Sequence, residues 1–408
     1  MGAGSVSAVR AYLIVMAVAV AATAVAVPPL RTLSRRAGAL AQPGDRTVHA
    51  TPTPFLGGAA LLFGLLVALG VASQMAEFEP VFDSPANVAG VVAAAFVIWL
   101  TGLIDDLRDV SAPAKLAGMV LSGSILTLVG LTIIYFRVPF LGFTVLPPDM
   151  SALITVLWVV GMANAVNLID GLDGLAAGIV AIGAGSFFLY GWRLLDVGVI
   201  DPANVGPLLA VVTAGICIGF LPFNFNPASI FMGDSGALLL GLLLAASTVA
   251  VGGQSDDPFS GQSWFFFAPL VIPLFILGVP LIDLIFAVVR RARRRSGVAT
   301  ADKEHLHHRL MDLGHGHRRT VVILWAWTAV LSGFVLVPAF TSRGNGIVPI
   351  GLAALALLLF TLLAPRLRRS EPAATESAGQ RLDDSDGSDG SAGSDGVGIG
   401  AGADEGAG

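Results

Sequence analysis

The sequence predicts an all-α, polytopic integral membrane protein of about eleven transmembrane helices, N-terminus outside and C-terminus in the cytosol. Three observations predict it. The chain is 55% hydrophobic and only 12% charged over 408 residues, against ~25% charged in soluble proteins. Apolar runs of the ~20 residues that cross a bilayer recur along most of its length. The basic residues fall on alternate connections between those runs, as the positive-inside rule requires.

The expected spans are roughly 9–27, 55–74, 86–104, 114–136, 151–169, 172–192, 206–222, 235–252, 265–289, 320–340 and 346–364. The first apolar run has no basic segment before it and reads as a span rather than a cleavable signal. Pro269, Pro273 and Pro280 should kink the ninth span. If the odd-numbered connections and the tail share one side, that side holds 19 of the 23 Lys and Arg. Only Arg10, Arg137, Arg193 and Arg343 lie opposite. The basic side is cytosolic by this rule, and the opposite loops are acidic, with Glu77, Glu79, Asp83, Asp256 and Asp257. Residues 1–366 read as one transmembrane catalytic domain. Residues 367–408 read as a disordered, acidic, Gly/Ser/Asp-rich cytosolic tail. The single cysteine, Cys217, excludes a disulfide framework and a Cys-based metal site within one chain.

All the unusual polar residues fall on the cytosolic connections. The central stretch is Asn164-Ala-Val-Asn167-Leu-Ile-Asp170-Gly-Leu-Asp173-Gly174. Asn164, Asn167 and Asp170 step by three and so share a helix face. Gly171 and Gly174 loosen the backbone, and Asp173 falls in the turn. Polar groups at the mouth of a membrane need a partner, an ion or a substrate. Hard oxygens suit Mg²⁺, and Mn²⁺ fits the same ligand type. A polar turn between two spans is the plain alternative.

Asp105-Asp106-x-x-Asp109 ends the third span. Its acids repel one another unless a cation or proton intervenes, which suits a metal-bound diphosphate or a general base; helix-end solvation is the simpler reading. In Gly233-Asp234-Ser235-Gly236, Asp234 either caps the eighth span or holds Mg²⁺ while free amides meet a phosphate. Asp302-Lys303-Glu-His305-Leu-His307-His308-Arg309 joins imidazoles to basic groups, which suits a pyrophosphate better than Zn²⁺. His315, His317, Arg318 and Arg319 read as a solvated or headgroup-facing continuation. Phe223, Phe225 and Phe231 could stack a base, but aromatics at a span end more often pack at the interface. A transporter would place ionisable groups at the midplane between repeats. Crowding at one interface favours an enzyme that joins a soluble substrate to a lipid.

Taken together, these motifs resemble the polyprenyl-phosphate N-acetylhexosamine-1-phosphate transferases. The resemblance runs from the second span to the tenth, with Asp105-Asp106-x-x-Asp109, the Asn164–Gly174 stretch, Phe231-Met-Gly-Asp234-Ser-Gly and His305-x-His307-His308 in the family's order. The first-loop form His49-x-x-Pro52-Thr53-Pro54-x-x-Gly57-Gly58 looks like the WecA branch, as does Leu306 breaking the histidine triplet. Gly314-His-x-His317-Arg-Arg looks like actinobacterial members. The resemblance implies transfer of GlcNAc-1-phosphate from UDP-GlcNAc to decaprenyl or undecaprenyl phosphate, releasing UMP and starting a cell-wall polymer or linkage unit. It implies a bacterial plasma membrane setting, Mg²⁺ as cofactor and no nucleic-acid partner, and it is compatible with a homodimer. It makes Asn167 and Asp234 the metal ligands. Asp105, with Asp106 beside it, would handle the lipid phosphate. Asp170 and Asp173 would position the nucleotide or ribose. Lys115, His305, His307, His308 and Arg309 would hold the pyrophosphate, and His49, Asn164 and Asn224 would complete the substrate site. The rival readings are an MraY-like phospho-MurNAc-pentapeptide transferase, a membrane prenyltransferase and a lipid-linked sugar transporter.

Overall fold

The computed structural model describes residues 3–41, 52–83, 85–138, 142–252, 315–341 and 347–369. Helix α1 (Ala3–Arg36) leads into a two-residue strand β1 (Leu40–Ala41), which pairs antiparallel with β2 (Thr53–Pro54). Then come α2 (Gly57–Ala72), the short α3 (Glu79–Phe82), α4 (Pro85–Arg108) and α5 (Ala112–Leu128). A hairpin of β3 (Tyr135–Val138) and β4 (Gly142–Val145) precedes α6 (Pro148–Ile169). Helices α7 (Leu175–Asp196), α8 (Gly206–Asn224) and α9 (Gly233–Gly252) follow. The remaining described helices are α10 (His317–Thr341) and α11 (Ile347–Arg369).

Seven of these helices, α1, α4, α6, α7, α8, α9 and α10, are long and apolar enough to cross a membrane. The count is eight if α2 and the segment Ala76–Phe82, bent by 97° from it, form one span. The chain is therefore a multi-pass helical membrane protein. The ninth expected span, 265–289, lies outside the described residues, as does the tail from residue 370.

The fourth expected span, 114–136, is corrected. Its helix stops at Leu128, Gly130 takes a left-handed φ of 85°, and the chain turns into the hairpin. Ser151 Oγ donates to the Ile133 carbonyl (2.8 Å), and Thr155 Oγ1 accepts the Ile133 N–H (2.9 Å). These side chains of α6 satisfy backbone groups that a helix would have satisfied internally. The apolar run continued through the turn, so hydropathy could not find the break.

Helix α9 organises the bundle. In its most apolar window 94% of residues are buried, against 22% in α1. It is apolar all round because it has neighbours all round. It packs on α2, α4, α6 and α8. Small residues permit the approach, since lipid supplies no hydrophobic drive between helices. A Cβ on Gly241 would stand 2.5 Å from Ala163 Cα on α6, and one on Gly102 would stand 2.5 Å from Ser235 Cα on α9.

Candidate active site

The polar residues singled out in the sequence converge at one end of this bundle. Lys115, in the first turn of α5, lies at the centre. Its Nζ is 2.8 Å from Asp105 Oδ2 at the end of α4, and it also contacts Asp234 Oδ2 at the start of α9. Asn167, near the end of α6, turns one end of its side-chain amide to Asp234 Oδ1 at 3.0 Å and the other to Lys115 Nζ at 3.1 Å. Four helix ends thus supply one cluster of two carboxylates, one amide and one ammonium. The side chains of Lys115, Asp105 and Asp234 remain 17%, 14% and 32% exposed, so the cluster is open to a ligand.

The Asn167 amide has two readings, because its N and O are told apart only by their partners. With nitrogen toward Asp234 and oxygen toward Lys115, both contacts are hydrogen bonds. Turned over, its oxygen faces Asp234 Oδ1 at 3.0 Å and its nitrogen faces Lys115 Nζ, an arrangement that needs a cation between the oxygens and Lys115 moved away. The donor set therefore fits a hard divalent ion: one amide oxygen and one carboxylate, with substrate oxygens and water left to complete the shell. Among the described residues, no group of three or more His, Cys, Asp or Glu forms a metal cage.

The adjacent acids of α4 do different things. Asp105 Oδ1 accepts the N–H of Val110 (2.8 Å), while Oδ2 faces Lys115. Asp106 points to α9, where Oδ1 accepts the N–H of Asp234 (2.7 Å) and Oδ2 that of Ser235 (3.1 Å). Of the amides expected to be free at the start of α9, Asp106 takes those of Asp234 and Ser235, and Asp234 does not cap its own helix. Asp109 is exposed and ends α4 with a left-handed φ of 49°, apart from the cluster.

Asp170 follows α6, where surrounding protein replaces water. That desolvation first, and then the negative charges of Asp234, Asp106 and Asp173, push its carboxyl well above the usual carboxylate range. Asp173 is otherwise engaged: its Oδ2 accepts Asn226 Nδ2 (2.9 Å) and the Ala228 N–H (3.0 Å), fixing the loop between α8 and α9. Asn224 is also reassigned. It is 2% exposed, with Oδ1 taking the Gly174 N–H (3.1 Å) and Nδ2 donating to the Ile230 carbonyl (3.1 Å). It ties two loops together. Gly174 suits its place because its φ of 78° strains other residues. Asn164 donates to the Val160 carbonyl (2.8 Å) and to Met119 Sδ (3.2 Å), about one helical turn below Asn167.

Two contacts had no reading in the sequence. The Pro-Thr-Pro-x-x-Gly-Gly segment docks on the strand-like entry to α9: Phe231 N–H donates to the Pro54 carbonyl (2.8 Å), Gly57 N–H to Phe231 (3.0 Å) and Gly58 N–H to Met232 (2.9 Å). Arg318 Nε donates to the Asn226 carbonyl (3.0 Å), and Phe225 packs on Trp325 at 5.6 Å. Helix α10 thus abuts the Asn226 loop. His315 is buried, with Nε2 3.0 Å from the Thr361 carbonyl, so it is not the solvated residue expected. His49, His305, His307, His308 and Arg309 lie outside the described residues.

The family model for glycosyl transferase family 4 matches residues 88–252, the stretch that carries α4 to α9. The chain is similar to the decaprenyl-phosphate N-acetylglucosaminephosphotransferase of Mycobacterium tuberculosis, with 39% identity over 353 residues, 84% of this chain and 86% of the relative. It is 34% identical to the probable undecaprenyl-phosphate N-acetylglucosaminyl 1-phosphate transferase of Bacillus subtilis over 311 residues, 76% of this chain and 78% of the relative. Similarity to the phospho-N-acetylmuramoyl-pentapeptide-transferase of Desulforudis audaxviator is lower, 31% over 309 residues, 70% of this chain and 84% of the relative.

Proposed function

Because the chain belongs to glycosyl transferase family 4, in the branch of the polyprenyl-phosphate N-acetylglucosaminephosphotransferases, we propose that it transfers GlcNAc-1-phosphate from UDP-GlcNAc to decaprenyl or undecaprenyl phosphate. The observation that carries this reading is the meeting of Lys115, Asp105, Asp234 and Asn167 at the ends of four membrane helices. An oxygen of the lipid phosphate forms a bond to the sugar-bearing phosphorus. The bond from that phosphorus to the bridging oxygen breaks, and UMP leaves with the electron pair. Both reactants are anions, so the site must offset their charge and hold them in line.

Asn167 and Asp234 would hold Mg²⁺, which when bound supplies positive charge to the phosphate oxygens. Lys115 would release its carboxylates to meet the substrate phosphates. Asp105 orients the lipid phosphate. A phosphate monoester with a second pKa of ~6 is mostly dianionic at neutral pH, so removing a proton contributes little there. Asp170 would add charge near Asp234 once its carboxyl ionises, and Asp173 holds the Asn226 loop. The MurNAc-pentapeptide reading is the weaker one, on the lower similarity of the relative named for it.

The purified protein with decaprenyl phosphate and radiolabelled UDP-GlcNAc, UDP-GalNAc or UDP-MurNAc-pentapeptide tests this directly. Labelled lipid should form from UDP-GlcNAc. Product from UDP-MurNAc-pentapeptide alone would overturn the substrate assignment. The raised Asp170 pKa adds a prediction. Its carboxyl keeps its proton to higher pH than usual and ionises as pH rises through that value, so Mg²⁺ should bind more tightly as pH rises. In binding isotherms at mildly acidic and mildly basic pH, Mg²⁺ affinity should climb less steeply with pH in Asp170→Asn than in wild type, and identical profiles would remove Asp170 from the metal's surroundings.

The site would face the cytosol, on the distribution of basic residues. The sole cysteine, Cys217, is buried and gives little labelling background. Cysteines introduced at Ser255 and Ser370 should label from opposite sides of the membrane. Labelling of both from one side would mean an odd error in the span count.

A further inference from the structure

We infer that Asp106 is a positioning residue rather than a participant in the chemistry: it clamps the first turn of α9 and thereby fixes Asp234. Three features meet there. Its two carboxylate oxygens take the N–H groups of Asp234 and Ser235, at 2.7 and 3.1 Å. These are orphan donors at a helix start, and a carboxylate is their strongest side-chain acceptor. The capping group comes from another helix, so it sets the distance between α4 and α9 as well as ending α9.

The glycines around the clamp exist for its closeness. A Cβ on Gly233, whose φ is 67°, would lie 2.5 Å from Asp106 Oδ2. Gly102 lies one turn before Asp106 on the same face of α4, and a Cβ there would lie 2.5 Å from both Ser235 Cα and its nitrogen. From the other side, a Cβ on Gly58 would lie 2.5 Å from the Gly236 nitrogen. The backbones of α2 and α4 therefore press on the same turn of α9.

The clamp has a second consequence. A helix N-terminus attracts phosphate, but here the Asp234 and Ser235 amides are occupied and Gly236 N–H donates to the Met232 carbonyl (3.2 Å). Three amides of this end are thus already engaged, and the groups turned to the open cluster are the Asp234 side chain, Asn167 and Lys115. Asp105 and Asp106 are neighbours in sequence, yet one faces the open cluster and the other the backbone of α9.

The inference rests on the proposed Asp234 metal site only for its effect on metal binding; the clamp itself is read separately. Hydrogen exchange of peptides covering residues 231–240 should quicken at the Asp234 and Ser235 amides in Asp106→Ala and stay as in wild type in Asp105→Ala. Mg²⁺ binding without substrate should weaken in Asp106→Asn, with kcat falling ~10–100-fold, as expected for a small displacement of a reacting geometry. Gly102→Ala, which pushes on the same turn without removing any polar group, should reproduce the pattern in milder form. Its thermal melt shows whether it folds, and Asp106→Asn, which keeps one acceptor oxygen at the same reach, should fall between wild type and Asp106→Ala in exchange. Unchanged exchange at residues 234–235 in Asp106→Ala would overturn the clamp. So would an Asp106→Asn enzyme as inactive as Asp105→Asn with wild-type Mg²⁺ binding, which would return Asp106 to the chemistry. If wild type binds no Mg²⁺ while exchange quickens as stated, the metal reading fails and the clamp stands.

Discussion

Asp234→Asn should slow transfer by roughly 10²–10³-fold, the usual loss when one group stabilising developing charge is removed. Asp234 belongs to the cluster through its side chain and is held there by its backbone, so the substitution leaves the fold of α9 intact. What changes is ligand charge: an amide replaces a carboxylate opposite Asn167. The apparent Mg²⁺ affinity should fall with the rate, and raising Mg²⁺ should recover part of it. Asp105→Asn is the contrast. Asp105 meets Lys115 and the Val110 amide but not Asn167. Its loss should slow turnover with little change in Mg²⁺ dependence. That loss should reach ~10²–10⁴-fold if proton transfer to Asp105 matters and be smaller if the lipid dianion attacks directly. Titrating both variants with Mg²⁺ under saturating UDP-GlcNAc separates the two roles. Equal shifts in both would merge them.

Lys115→Met should be the second large loss, in stability as well as rate. The ammonium neutralises two carboxylates from two helices. Without it, Asp105 and Asp234 repel each other across a part-buried space, and substrate phosphate loses its cation. Removing one partner of a buried pair costs ~3–5 kcal/mol; the residual exposure of this cluster reduces that to roughly 1–3 kcal/mol. Turnover should fall about 10²-fold. Added Mg²⁺ should raise the melting temperature of Lys115→Met more than that of wild type, because a cation then fills the place of the missing one. A variant that melts and turns over like wild type would show that Lys115 carries no such charge role.

The multi-pass helical class could be read from the sequence because a bilayer demands ~20 apolar residues and leaves little choice of structure. The run from Ala114 to Phe136 misled because a buried turn and a helix look alike in hydropathy; the polar atoms that hold the turn, Ser151 and Thr155, lie in the following helix. That Asp105, Asn167 and Asp234 need partners was legible, because such groups are costly at span ends. Their division of labour was not. Adjacent residues on a helix point about 100° apart, so Asp105 and Asp106 reach different neighbours that only the packing of α4 on α5 and α9 defines. Asn224 shows the same limit. Its seat between the Gly174 and Ile230 backbone groups is set by loops that only the fold brings together. The Pro-Thr-Pro-x-x-Gly-Gly segment was visible as a motif, but its partner, the stretch from Phe231 to Met232, lies far along the chain.

The central claim is direct attack by the lipid phosphate within this cluster, and isotope exchange tests it most directly. The delipidated enzyme is incubated with UDP-GlcNAc and labelled UMP, first without and then with decaprenyl phosphate. Direct transfer forms no enzyme-bound sugar phosphate, so label should enter UDP-GlcNAc only when the lipid is present. Exchange without lipid would contradict the account and require a covalent intermediate on a carboxylate, with Asp105 the acid best placed beside Lys115 to form it.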